Sequence, residues 1–148
     1  MLFMHTINYT SVRHLRISAK MVNVLSISDE QFDEIISQAM DELPQDYIKR
    51  LNNVVVVYED EPSPEQRVKL KLRCDQSLFG LYEGIPLTKR GAGYNFVLPD
   101  KITIFKNPIL SFSHDMASFK AQVKNTLWHE IAHYYGLDHD RIHYLENK

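Results

Sequence analysis

Apolar residues recur at Phe32, Ile35, Ile36, Ala39, Met40 and Leu43, a spacing that predicts one amphipathic helix with its stripe toward a core. Ser28 and Gln31 form a capping box ahead of it, Asp29 and Glu30 sit where the helix dipole favours negative charge, and Pro44 marks the stop. The next apolar run, Val54 to Val57 within residues 53–58, is four consecutive β-branched residues and predicts a buried strand. Glu59, Asp60 and Glu61 before Pro62 predict a solvated loop. Two patterns compete in residues 63–74. Ser63-Pro64-Glu65-Gln66 is a helix start, whereas Val68, Leu70, Leu72 and Cys74 alternate as in a strand. A short helix is preferred, because the start signal has a mechanism. Residues 77–89 hold two short apolar runs around Glu83-Gly84, which predicts a hairpin or tight loop, and Gly91-Ala92-Gly93 reads as a flexible turn. Pro99-Asp100 opens a second strand at 101–105, closed by Asn107-Pro108. A last helix is predicted at 116–135, capped by Ser113 or Asp115, with Phe119, Val123, Leu127, Ile131 and Tyr134 inward and Gly136 at its C-terminal cap. These elements predict an α+β domain, a small mixed sheet with an N-terminal helix and a C-terminal helix that lies across it.

Residues 1–20 stand apart. They carry Arg13, Arg16 and Lys20, no acidic residue, no Gly and no Pro. They lack the apolar stretch and small-residue cleavage site of a secretory signal. The expectation is a basic, disordered extension or a segment upstream of the natural start, with Met21 as an alternative start, ahead of a domain over 21–148.

Composition narrows the function. The chain has 148 residues, 44% of them hydrophobic, which suits one self-sufficient core. Lys and Arg number 17 against 19 Asp and Glu, a net charge of −2, so no nucleic-acid or anionic-membrane partner is expected. No apolar run approaches the ~18 residues of a membrane span. The single cysteine, Cys74, excludes an internal disulfide framework and a cysteine-rich zinc site, and suits a reducing, cytoplasmic compartment. Nothing in the composition speaks to the oligomeric state. The histidines stand out: four of the seven, His129, His133, His139 and His143, fall in the last twenty residues.

Residues 129–133 read His-Glu-Ile-Ala-His. On a helix, positions i and i+4 differ by about 40° and ~6 Å of rise, so His129 and His133 project from one face and can share one metal ion. Glu130 is offset by ~100° and can reach a water on that metal as general base. A catalytic zinc site takes three protein ligands and keeps a fourth position open. Gly136 permits the sharp turn that would bring His139 back as the third ligand, with Asp138, Asp140 and His143 as the other candidates. The parts predict one Zn2+ per chain, a water activated by Glu130, and hydrolysis of a peptide bond in a peptide or protein substrate. Tyr82, Tyr134, Tyr135, His143 and Tyr144 are candidate oxyanion donors. His5, His14 and His114 receive no role. A substrate strand would pair with a sheet edge such as 101–105.

The string from His129 to His139 matches the HExxHxxGxxH pattern of metzincin-type metalloproteases, with His129, His133 and His139 in the ligand places and Glu130 in that of the base. It departs from them in having no Met among the nine residues after His139. Over about residues 28–143 the chain more closely resembles the minimal zincin-like "possible zinc metallopeptidase" family. The matching stretches are SDEQFDEIISQAMDELP, NNVVVVYEDEP, LFGLYEGIPLT, LPDKITIFKNPI and LWHEIAHYYGLD. That resemblance implies a compact zincin-like α+β domain, a C-terminal metal-binding helix and peptidase activity. A rival lies in another class. Residues 133–140, HYYGLDHD, also resemble the three-histidine site of bacterial rRNA-maturation endoribonucleases, which implies a metal-dependent endoribonuclease. There a Gly usually follows the first His, whereas this chain has Glu130, which suits water activation and would repel a phosphate. A non-catalytic metal-binding protein is the third reading.

Overall fold

In the computed structural model, Ser28 opens the first helix by the expected reciprocal capping. Its Oγ accepts from the Gln31 backbone N–H at 3.2 Å, and its own N–H donates to Gln31 Oε1 at 2.9 Å. Residues 2–8, 25–94 and 97–146 are described, with backbone alone for 2–8, 139, 143, 145 and 146. The helix, α1 (Asp29–Glu42), runs into a single turn, α2 (Gln45–Ile48). β2 (Val54–Glu59) follows, then α3 (Pro64–Lys69), whose Ser63–Gln66 capping box prevails over the strand-like alternation. β3 (Gln76–Glu83) and β4 (Asp100–Phe105) lead to α4 (Lys106–Phe112), the long α5 (Met116–Tyr134) and α6 (His139–Glu146). The first strand, β1 (Leu2–Asn8), comes from the segment expected to be a disordered extension. Its backbone takes a place in the sheet, because the outer side of β3 offers it a ladder of N–H and C=O groups. The rest of that extension, from residue 9, lies outside the described residues.

The sheet is mixed, in the order β1-β3-β4-β2. β1 and β4 flank β3 antiparallel, and β2 runs parallel to β4. Two expectations change here. The Val54–Val57 run is a half-buried edge strand rather than a buried one: Val54 and Val56 face the main core, and Val55 and Val57 point to the other, exposed face. Conversely, residues 101–105 lie in the interior of the sheet, so they offer no edge to a substrate. The two apolar runs around Gly84 also do not pair with each other. The first is β3 and the second enters a 3-10 turn at Leu87–Lys89, because β4 takes the place beside β3.

Helices α1 and α5 pack on one another and cover one face of the sheet. Phe32, Ile36, Phe119, Val123, Leu127 and Ile131 meet Phe79, Tyr82, Ile102 and Ile104 in the main core. Leu78, Leu81 and Phe105 form a second cluster with Leu70 and Leu72. A bulge explains the division: the register of β1 on β3 shifts between His5 and Thr6, leaving Phe79 without a Cα partner. One extra residue in β3 sends Leu78 to one core and both Phe79 and Tyr82 to the other. The acidic run after β2 is solvated as expected, with Asp60 and Glu61 exposed, and Asp60 also accepts from Lys106 Nζ at 2.8 Å, which reaches Asp29 at 2.5 Å. Helix α4 starts where a strand end was expected. Pro108 is tolerated in its first turn, where a missing N–H costs nothing.

Candidate metal centre

Asp115, one of the two caps expected, starts α5: its Oδ1 accepts from the Ser118 N–H at 2.7 Å. The stripe Phe119, Val123, Leu127, Ile131 and Tyr134 is fully buried, which fixes the helix rotation on the sheet. That rotation turns His129 and His133 inward together. Their ring centroids lie 4.7 Å apart with the planes at 83°, and the residues are 3% and 1% exposed. The helix ends as the glycine requires. Gly136 sits at φ +77°, its N–H donates to the His133 carbonyl at 2.9 Å, and the Leu137 N–H donates to the Ala132 carbonyl at 3.0 Å. These two bonds make a Schellman cap. A Cβ at Gly136 would collide with the Thr88 side chain, so the same turn holds the loop after β3.

Beyond that turn the backbone re-enters a helix at His139. Asp138 caps α6, its Oδ1 accepting from the Arg141 N–H at 2.8 Å, and Ile142 is fully buried beneath. The side chains of His139 and His143 lie outside those described. Of the other candidate ligands, Asp138 has one carboxylate oxygen engaged in the cap, and Asp140 is exposed.

Glu130 is the most informative group. Its residue is 0% exposed, and neither carboxylate oxygen makes a hydrogen bond among the described residues. Burial pushes its carboxyl well above the usual carboxylate range. The Tyr82 backbone N–H pulls the other way without closing a bond of normal geometry. It has room because position 80 is glycine: a Cβ there would lie 2.7 Å from Thr126 Cγ2 and 2.9 Å from both Cγ and Oε1 of Glu130. A buried carboxylate that closes no hydrogen bond among the described residues, on the same helix turn as two buried imidazoles, is donor chemistry suited to a divalent metal with Glu130 next to it. Two imidazoles with a neighbouring carboxylate match the donor chemistry zinc takes, while among the described residues no group of three or more His, Cys, Asp or Glu side chains is set to hold an ion.

The candidate oxyanion donors divide. The Tyr134 hydroxyl bonds the Asn52 backbone at 3.0 and 3.2 Å, and the Tyr135 hydroxyl donates to the Tyr47 carbonyl at 2.6 Å. Tyr82 donates to Asp100 Oδ2 at 2.5 Å, so burial and that carboxylate raise its pKa. Tyr144 is exposed on α6, with Arg141 over its ring. The first three hydroxyls are thus committed to structure. Asp100 gathers more: Arg90 donates to Oδ2 at 2.5 Å and Tyr94 to Oδ1 at 3.1 Å, while the Arg90 guanidinium stacks 4.9 Å from the Tyr134 ring centroid. This network pins the loop after β3 to the end of α5. Sequence reasoning missed it, and missed Gly80 and Thr126. Only Gly80 left a signal, a lone glycine inside an apolar strand, which marks a close approach.

A family model described as zincin-like metallopeptidase matches residues 51–148. No curated protein matches the chain. Among the described residues, no helix is long and apolar enough to cross a membrane.

Proposed function

The chain belongs to the zincin-like metallopeptidase family, and from that premise we propose that it is a zinc-dependent peptidase with Glu130 as its general base and acid. One observation carries the reading: among the described residues the buried carboxylate of Glu130 closes no hydrogen bond, and it lies in space that Gly80 leaves open, on the helix turn that carries His129 and His133. His129 and His133 would hold the ion, with His139, by its spacing, as the third ligand. Bound Zn2+ supplies Lewis-acid chemistry, acidifying a water and polarising a carbonyl. Glu130 would orient a water at the site, take its proton on a carboxylate oxygen as it attacks the scissile carbonyl, and deliver that proton to the leaving amine. The substrate is a peptide or protein rather than RNA, because a buried glutamate beside the ion opposes a phosphodiester. The setting is cytoplasmic, as the lone, exposed thiol of Cys74 suggests.

Glu130→Gln tests the reading. Zinc content by elemental analysis stays near one per chain, while hydrolysis of unfolded casein falls by about 10²–10⁴-fold. Undiminished hydrolysis would remove Glu130 from the mechanism.

A further inference from the structure

Two observations bear on how a peptide gains access. First, the site is closed: His129, Glu130 and His133 are all at most 3% exposed. A peptide bond cannot reach a carboxylate that solvent does not reach. Second, Glu130 abuts β3 at Gly80, so the backbone edge nearest the chemistry belongs to β3. A peptide in extended form is held most directly by adding a strand to such an edge. One side of β3 is occupied by β4. The other is occupied by the chain's own β1, antiparallel, with His5 opposite Gly80 and Phe3 opposite Tyr82. Helix α5 packs along β1 as well as β3. The register irregularity at His5/Thr6 falls at the level of Gly80, so this pairing is interrupted where the catalytic helix comes closest.

We propose that β1 is an intramolecular occupant of the peptide-docking edge, so that pairing of Leu2–Asn8 with β3 and binding of a substrate strand exclude one another. The proposal rests on the peptidase reading above. β1 pairs with β3 alone, so it can leave without breaking the β3-β4-β2 sheet. The exposed edge then belongs to the strand that Glu130 touches. Tethering gives β1 a high effective concentration at that edge, and the apparent affinity for substrate is reduced by the fraction of time the edge is free. The occupant therefore acts as a built-in latency element.

A reversible clamp tests this in the full chain. Leu2 and Glu83 are opposed in the antiparallel pair, a separation a disulfide can span. Leu2→Cys and Glu83→Cys are introduced with Cys74→Ser, in the zinc-loaded chain and again with Glu130→Gln, which binds without cleaving. The probe is fluorescein-labelled casein. The proposal expects the disulfide to form, the oxidised Glu130→Gln form to bind casein at least tenfold more weakly than the reduced form, and reductant to restore binding. Cleavage by the chain retaining Glu130 falls and recovers in step. Failure of the disulfide to form would overturn the proposal, since β1 would not hold that edge. Equal binding by both forms would overturn it while leaving the peptidase reading intact. Binding that responds to the clamp without any cleavage sustains the occlusion and defeats the peptidase reading. Casein bound by neither form defeats both.

Discussion

At the scale of single residues, Glu130 and Gly80 act as one unit. Without metal, the buried Glu130 holds its proton to a higher pH in the folded chain than in the unfolded one. Between about pH 4.5 and its raised folded value, folding therefore takes up a proton, and stability falls as pH rises through that window. Glu130→Gln carries no such proton. Thermal unfolding with chelator present should show the two chains alike near pH 4, with the variant the more stable by a few degrees, about 1–2 kcal/mol, near pH 8. A gap independent of pH would mean that the carboxylate is solvated. Gly80→Ala attacks the same contact from the strand. The new methyl meets Thr126 and Glu130 at under 3 Å, so stability should drop by about 1–3 kcal/mol. Hydrolysis should fall at least tenfold with zinc content retained, since a carboxylate displaced by a fraction of an ångström loses its alignment. The difference in legibility is physical. His129, Glu130 and His133 are set by the period of one helix, which a sequence displays directly. The Gly80–Glu130 contact joins positions fifty apart, and a sequence displays only the glycine.

Among the elements, those with a chemical start signal were readable. Ser28 and Ser63 each predict a capping box and each makes one, and Asp115 caps α5. Helices α4 and α6 were not anticipated, because each is short and held by tertiary burial, of Ile109 and Ile142 respectively, more than by its own pattern. The loop after β3 was read as flexible from its glycines, yet its Arg90 and Tyr94 are tied to Asp100 on β4. Removing Asp100 tests how firmly. Asp100→Ala leaves the largely buried Arg90 without its counter-ion and the buried Tyr82 hydroxyl without an acceptor. Denaturant unfolding should register a loss of about 3–5 kcal/mol, and hydrogen exchange should quicken in residues 84–94. A loss under 1 kcal/mol would mean that the loop is held by Thr88 against Gly136 instead.

For the molecule as a whole, the sequence disclosed the α+β class and the late metal helix. It did not disclose the strand order, because β2 and β4 pair across some forty-six positions and β1 and β3 across more. Folding and metal binding are linked at this scale. The folded chain brings both histidines and Glu130 together, so zinc should stabilise it by mass action: at a thousandfold excess over Kd, about 4 kcal/mol, or roughly 10 °C in Tm. His129→Ala should abolish that gain in a titration of Tm against zinc; a gain that persists would place the ion elsewhere. The sheet also has an unguarded flank. β2 opens with four valines, two of them facing outward, and its outer row of backbone groups is uncovered by any described strand. Such a border is a template for polymerisation, so in concentrated solution the colloidal lifetime of this protein would be governed by that rim, on the opposite side of the sheet from its chemistry.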